Sequence, residues 1–139
     1  MGSWLQRCSA PLLILLLLQI SAPGYGQTFR VDTLARAPQS QFPYGLAFVP
    51  GSGDSFFFTE KNNGTVRLFE NGVRLAPFAV LPVESEGEQG LLSIALDPGY
   101  PASPYLYVFC TRAIDRANVV VRFRDSAGVG LDPTIIQLT

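Results

Sequence analysis

Residues 56–76 read FFFTEKNNGTVRLFENGVRLA, and the spacing of the two Asn-Gly pairs within them decides the fold. Three short runs rich in Phe, Thr, Val and Leu are separated by Asn62-Asn63-Gly64 and by Asn71-Gly72. Side chains of this shape suit a half-buried strand. Asn-Gly accepts positive φ at both central positions of a two-residue type I′ hairpin, whose twist matches that of the paired strands. With Asn63 and Asn71 eight positions apart, the stretch predicts a three-stranded antiparallel meander. Counting outward from Asn63-Gly64 as a two-residue loop sets an expected register: Asn62 opposite Thr65, Lys61 opposite Val66, Glu60 opposite Arg67 and Phe58 opposite Phe69. The charge pair and the aromatic pair each stabilise such a hairpin by about 0.2–1 kcal/mol.

Working outward, the pattern repeats. Gly45-Leu46-Ala47-Phe48-Val49-Pro50-Gly51 aligns with Ser93-Ile94-Ala95-Leu96-Asp97-Pro98-Gly99 at an offset of 48, sharing Ala, Pro and Gly. FFFTEK at 56–61 resembles VFCTR at 108–112, and TVRLF at 65–69 resembles VVVRF at 119–123. Each unit predicts four short strands: 44–49, 56–60, 65–70 and 73–80, then 91–96, 105–111, 118–124 and 134–138. Repeated four-stranded antiparallel units of this size are the blades of a β-propeller, here units 42–82 and 90–139. A β-sandwich is the competing all-β class, but it does not call for a repeated Ala-Xaa-Xaa-Pro-Gly ending on each first strand. Because two blades do not close a ring that takes four to eight, the chain is expected to be the N-terminal part of a longer propeller. Its exposed blade edge is otherwise expected to self-associate.

The N-terminus carries Arg7, an unbroken aliphatic run from Leu12 to Leu18, and the small-residue ending Ser21-Ala22-Pro23-Gly24-Tyr25-Gly26. That is the charge, core and ending of an export signal over residues 1–26, with cleavage after Gly26 or after Ala22, and it predicts a secreted or periplasmic protein. The run is too short for a spanning helix, which needs about 20 apolar residues. Removing the signal removes Cys8 and leaves Cys110 as the lone cysteine, so no internal disulfide is expected. Cys110 lies in the apolar stretch YLYVFCT and reads as a buried, inert thiol. Ten basic and eleven acidic residues give no polyanion-binding surface, so nucleic acid is not an expected partner.

At GEQGLLSIALDPGYPASPYLYVFCT, residues 87–111, the chain resembles the glucose/sorbosone dehydrogenase family. These are six-bladed propellers that include the soluble pyrroloquinoline quinone (PQQ) sugar dehydrogenases and the related hedgehog-interacting-protein-like propellers. The family's line is Gly-Glu/Gln-Xaa-Gly-Leu-Leu-Gly, an apolar strand ending in Pro, a variable loop and a Leu-Tyr-Val strand. Gly87, Glu88, Gly90, Leu91, Leu92, Ala95, Pro98, Leu106, Tyr107 and Val108 match it. Upstream, Pro43-Tyr44-Gly45-Leu46-Ala47-Phe48, Phe58-Thr59-Glu60-Lys61 and Gly64-Thr65-Val66-Arg67 resemble the family's opening blade, so the resemblance covers about 42–124.

The resemblance implies PQQ and calcium as cofactors, a sugar substrate, and hydride transfer from a sugar carbon while a histidine takes the hydroxyl proton. A glutamine in this loop faces the quinone in the family. Glu88 occupies its position here and Gln89 follows, making these two the candidate cofactor-binding residues. A carboxylate beside an anionic quinone is repelled unless it is paired or bridged by a cation. Asp97 stands where many members carry His before Pro. The chain contains no histidine, so no catalytic residue is assigned, and the chain alone is expected to be inactive. A non-enzymatic propeller binding a protein or glycan is the alternative.

The remaining polar features have structural explanations beside functional ones. Glu84, Glu86 and Glu88 alternate over five residues, and three carboxylates on a loop can hold a hard cation. Without the Asp/Asn/Gly spacing of a calcium loop, a solvated acidic loop is the expectation, with no metal site. Asn63-Gly64-Thr65 is formally a glycosylation acceptor, although turn formation explains the same residues. Arg112, Asp115 and Arg116 read as a solvated connection at one end of the second blade.

Overall fold

The structure, a computed structural model, describes residues 28–31, 33 and 42–136. The expected export signal with Cys8, and residues 137–138 of the expected last strand, lie outside them. The chain divides into two compact units, Met1–Asp32 and Thr33–Thr139. Residues 28–31 of the first have no regular secondary structure; every strand belongs to the second.

Eight strands follow in order: β1 (Pro43–Phe48), β2 (Phe56–Glu60), β3 (Thr65–Glu70), β4 (Val73–Val80), β5 (Leu91–Leu96), β6 (Tyr105–Thr111), β7 (Asn118–Ser126) and β8 (Val129–Ile136). They form two four-stranded antiparallel sheets with orders β1-β2-β3-β4 and β5-β6-β7-β8. Both sheets are simple meanders, as blades require, without the crossing connections of a Greek-key sandwich. No helix occurs among the described residues, and none of them forms a helix able to cross a membrane.

One core joins the sheets. Phe57, Val66, Leu68 and Phe78 from the first meet Leu91, Ile94, Leu106, Val108, Cys110, Val121 and Phe123 from the second. In β6 and β7 the buried positions Leu106, Val108, Cys110, Val121 and Phe123 alternate with more exposed ones, the period-2 pattern of a strand with one face in the core. Phe57 and Phe123 both meet the Phe78 ring edge-on, at centroid distances of 5.2 and 6.1 Å, an arrangement that aromatic quadrupoles favour. The first strands of the two sheets run close together. A Cβ on Gly45 of β1 would lie 3.0 Å from Ser93 Cα and 3.2 Å from Ile94 N of β5. The opposite face of the first sheet carries a separate cluster, Phe56, Phe58 and Phe69, with Tyr44, Leu46 and Phe48 exposed on β1.

The expected tight loop at Asn63-Gly64 is corrected by the register. Glu60 pairs with Thr65, Phe58 with Arg67 and Phe56 with Phe69, so the loop is the four residues Lys61–Gly64 and β3 is shifted by two positions. An even shift keeps every side chain on its expected face. Lys61 is no ladder residue because its backbone groups bind elsewhere, the N–H to Phe42 O at 2.9 Å and the carbonyl to Leu91 N–H at 3.0 Å. The Asn63 side chain builds the wider loop: Oδ1 accepts from Thr65 N–H at 3.1 Å and Nδ2 donates to Glu60 Oε2 at 2.9 Å.

The Asn71-Gly72 turn is the tight one expected, with φ of 51° and 80° between the paired Glu70 and Val73. A second tight turn was not legible. Ala127-Gly128, with φ of 52° and 81°, joins the paired Ser126 and Val129. β7 therefore runs to Ser126 instead of 124, and β8 starts at Val129 instead of 134. Asp132, at φ 53°, sits in a bulge between the Arg122 and Arg124 pairings, which interrupts the alternation that would have marked β8. At the other end, β1 runs from Pro43 to Phe48, one residue earlier than the expected 44–49.

Candidate functional site

The acidic stretch Glu84–Gly90 connects the two sheets and leads into β5. Gln89 N–H donates to Glu86 O at 3.1 Å, closing a turn in which Gly87 has φ 58°; Gly90 follows at φ 142°. Both angles suit glycine. Gly90 has a second requirement, since a Cβ there would lie 2.6 Å from Lys61 Cγ and 2.7 Å from Lys61 O. The Lys61 stem thus crosses Gly90, and its ammonium donates to Gly87 O at 2.6 Å. Because the Lys61 carbonyl also accepts from Leu91 N–H, one residue of the loop between β2 and β3 grips both ends of the turn.

The loop between β6 and β7 approaches from the other side. Glu84 N–H donates to Thr111 O at 3.0 Å and Ala113 N–H to Pro82 O at 3.1 Å, with a bridge between Val83 and Arg112. Arg116 places its guanidinium 3.2 Å from Glu84 and 3.7 Å from Glu86, while Arg112 is paired with Asp115. The Glu86 N–H, foremost, and the Ser85 N–H and Arg116 guanidinium hold the Glu84 carboxyl below its ordinary range, against a smaller desolvation effect. The Ala117 N–H and Arg112 do the same for Asp115. Arg112, Asp115 and Arg116 are therefore each engaged in ion pairs at the edge of the acidic turn.

Glu88 is exposed at the turn and Gln89 is half-buried beside it. Glu88 makes no hydrogen bond or ion pair with the described residues. Asp97 lies at the opposite end of β5, where it accepts from Gly99 N–H at 2.9 Å and from the Tyr107 hydroxyl at 3.4 Å, so it does not share a site with Glu88. Among the described residues, no group of three His, Cys, Asp or Glu side chains is arranged to hold a metal ion. The Asn63 amide nitrogen, the atom a glycan would occupy, is engaged by buried Glu60. Cys110 is buried at 1% exposure against an apolar pocket of about 460 Å³ that Leu81, Val121 and Ile135 also line. Sequence reasoning did not single out Lys61. Its signal is the Gly87/Gly90 pair, which marks a close backbone approach without naming what approaches.

Two adjacent four-stranded antiparallel meanders, with a glycine-bounded turn at the start of the second one's first strand, define a β-propeller segment. The glucose/sorbosone dehydrogenase profile matches residues 40–131. The chain belongs to that family. A Thermus thermophilus oxidoreductase described as a glucose dehydrogenase is similar at 36% identity and a TM-score of 0.59, over 67% of this chain and 28% of its own. The PQQ-bound aldose sugar dehydrogenase of Streptomyces coelicolor is similar at 27% identity and a TM-score of 0.63, over 76% of this chain and 32% of its own. The soluble aldose sugar dehydrogenase of Escherichia coli, at 24% identity and a TM-score of 0.60, shares the fold. No curated protein sequence matches the chain. The chain thus spans less than a third of each of these structures.

Proposed function

We propose that this chain is the N-terminal two-blade part of an exported, PQQ-dependent sugar dehydrogenase-like propeller, and that the Gly87–Gly90 turn faces the cofactor. The observation that carries this reading is the family match across residues 40–131, which includes the whole turn. The likeness to a PQQ-bound aldose sugar dehydrogenase supports it. Bound PQQ would supply the acceptor for a hydride leaving a sugar carbon.

The turn's residues fit one wall of such a site. The Gln89 carboxamide both donates and accepts hydrogen bonds, as quinone oxygens and ring nitrogens require. Glu88 fits less well, because its exposed carboxylate repels an anionic quinone. The nearby cations Lys61 and Arg116 are already spent on Gly87 O and on Glu84 and Glu86. Calcium does not fit the described residues, which offer no cluster for it, and no step is assigned to it. The resemblance implies a histidine as the base that takes the sugar's hydroxyl proton, and because the 139 residues contain none we place that base outside this chain.

Equilibrium dialysis of the full chain against PQQ, followed by addition of an aldose and an artificial electron acceptor, tests the reading. Saturable binding without turnover is expected; turnover by this chain would refute the placement of the base. The second reading, a non-enzymatic propeller that binds a protein or glycan, is favoured by the Glu88 carboxylate. It gains if no PQQ is retained. Export through residues 1–26 is tested by sequencing the N-terminus of secreted protein, with Gln27 or Pro23 expected first.

A further inference from the structure

The turn that carries Glu88 and Gln89 is held by a residue from the other blade. Lys61 makes three contacts: its N–H with Phe42 O, its carbonyl with Leu91 N–H, and its ammonium with Gly87 O at 2.6 Å. The first two are backbone bonds that any residue except proline could supply. The third is specific to this side chain, because it needs a long stem ending in a donor and a bare Cα at Gly90 for the stem to cross. Gly90 supplies that passage, lying against Lys61 Cγ and Lys61 O. Gly87 O lies inside the turn closed by Gln89 N–H and Glu86 O, so the ammonium fixes the peptide immediately before Glu88. A carbonyl held by a charged donor forms a stronger bond than a neutral pair does.

We propose that Lys61 is the positioning residue of the Glu88–Gln89 turn, its ammonium setting how blade two presents these side chains to the quinone. The inference rests on the cofactor reading above for its functional half, and on this chain's geometry alone for its structural half. It separates two roles of one residue. The Lys61 backbone joins the blades, and the ammonium orders the turn.

The test compares the full chain with Lys61→Met, which keeps the stem and loses the donor, and with Lys61→Cys before and after alkylation with 2-bromoethylamine, which restores an ammonium at nearly the same reach. Hydrogen-exchange mass spectrometry of the peptide spanning 86–91 is read beside one spanning 56–60. In both unmodified variants, exchange at 86–91 should accelerate about threefold to tenfold, the range of a partly solvated charge-assisted bond, with 56–60 unchanged. PQQ affinity by equilibrium dialysis should weaken by a similar factor, and aminoethylation should restore both. Unchanged exchange at 86–91 overturns the clamp whatever PQQ does. Faster exchange with unchanged affinity overturns the positioning role. Faster exchange in a chain that never binds PQQ overturns the cofactor reading and, with it, the functional half. If Lys61→Met fails to fold, Lys61→Gln, which exchanges the ammonium for an uncharged donor on a shorter stem and leaves Gly90 and the Lys61 backbone bonds in place, should accelerate exchange at 86–91 in the same way; slow exchange there overturns the clamp.

Discussion

Arg67 Nε lies 2.9 Å from Glu60 Oε1, although the ladder sets Glu60 opposite Thr65. The pair forms diagonally across the hairpin. Glu60 is 1% exposed and also receives the Asn63 amide, with Arg74 at 3.7 Å. Replacing it by alanine leaves a largely buried guanidinium without its partner and unties the Lys61–Gly64 loop. We expect Glu60→Ala to lower the unfolding free energy by about 2–4 kcal/mol, somewhat less than the full cost of breaking a buried pair, since Arg67 keeps some solvent. Urea denaturation of the full chain measures this, and a loss under about 0.5 kcal/mol would show the network to be incidental.

Gly64→Ala should be costly for two separate reasons. Its φ of 66° is unfavourable for a side chain, and an added Cβ would run into the Leu81 carbonyl, whose neighbouring N–H is bonded to Gly64 O at 2.9 Å. We expect more than about 2 kcal/mol of destabilisation. Gly72→Ala serves as the control. It has a similar φ, 80°, but open space around it, so only the conformational part of the cost should appear.

Burial pushes the Cys110 thiol up from its ordinary 9.0, against a weaker opposing pull from Arg112. The folded chain therefore holds the thiol's proton more tightly than the unfolded chain does. This contribution to stability is complete below the unfolded thiol's range and is lost as pH rises through the folded value. In a Cys8→Ser background, Ellman's reagent should leave the native protein unlabelled and label it on unfolding. As pH rises past the unfolded thiol's value of about 8.5, the decline in stability should be shallower in Cys110→Ala. Rapid labelling under native conditions would contradict the burial.

Glu88→Gln should tighten PQQ binding by about twofold to fivefold, the scale of an exposed charge interaction. Dialysis at low and high salt separates the causes. If repulsion is responsible, the gain shrinks as salt rises. A weaker affinity in the variant would mean that the carboxylate is a ligand and not an obstacle.

The fold was legible because its signals were local. Asn71-Gly72 fixed one tight turn, and the recurrence of Ala-Xaa-Xaa-Pro-Gly marked the first strand of each sheet. Asn63-Gly64 misled by two residues because what holds that loop is long-range: Glu60 gathers Asn63 and Arg67, while Lys61 turns its backbone to Phe42 and Leu91. Ala127-Gly128 lacked the asparagine that announces a tight turn, and the bulge at Asp132 hid the start of β8. In the candidate site, the motif named Glu88 and Gln89 as candidates. It was silent on Lys61, 26 positions from Gly87, because a contact between blades leaves no periodic trace in a sequence.

The approach of Gly45 to Ser93 is matched at the far edge by the Phe78 ring against Gly130 of β8. Backbone nearly touches backbone at one margin of the paired sheets, while an aromatic ring holds the other margin apart. The interface is therefore a wedge, and the taper of a wedge determines how many copies complete a circle. Side-chain volume at these few positions thus acts as a curvature gauge, and a Cβ at Gly45 would press on Ser93 and Ile94 of the second sheet and on Thr59 Oγ1 of its own.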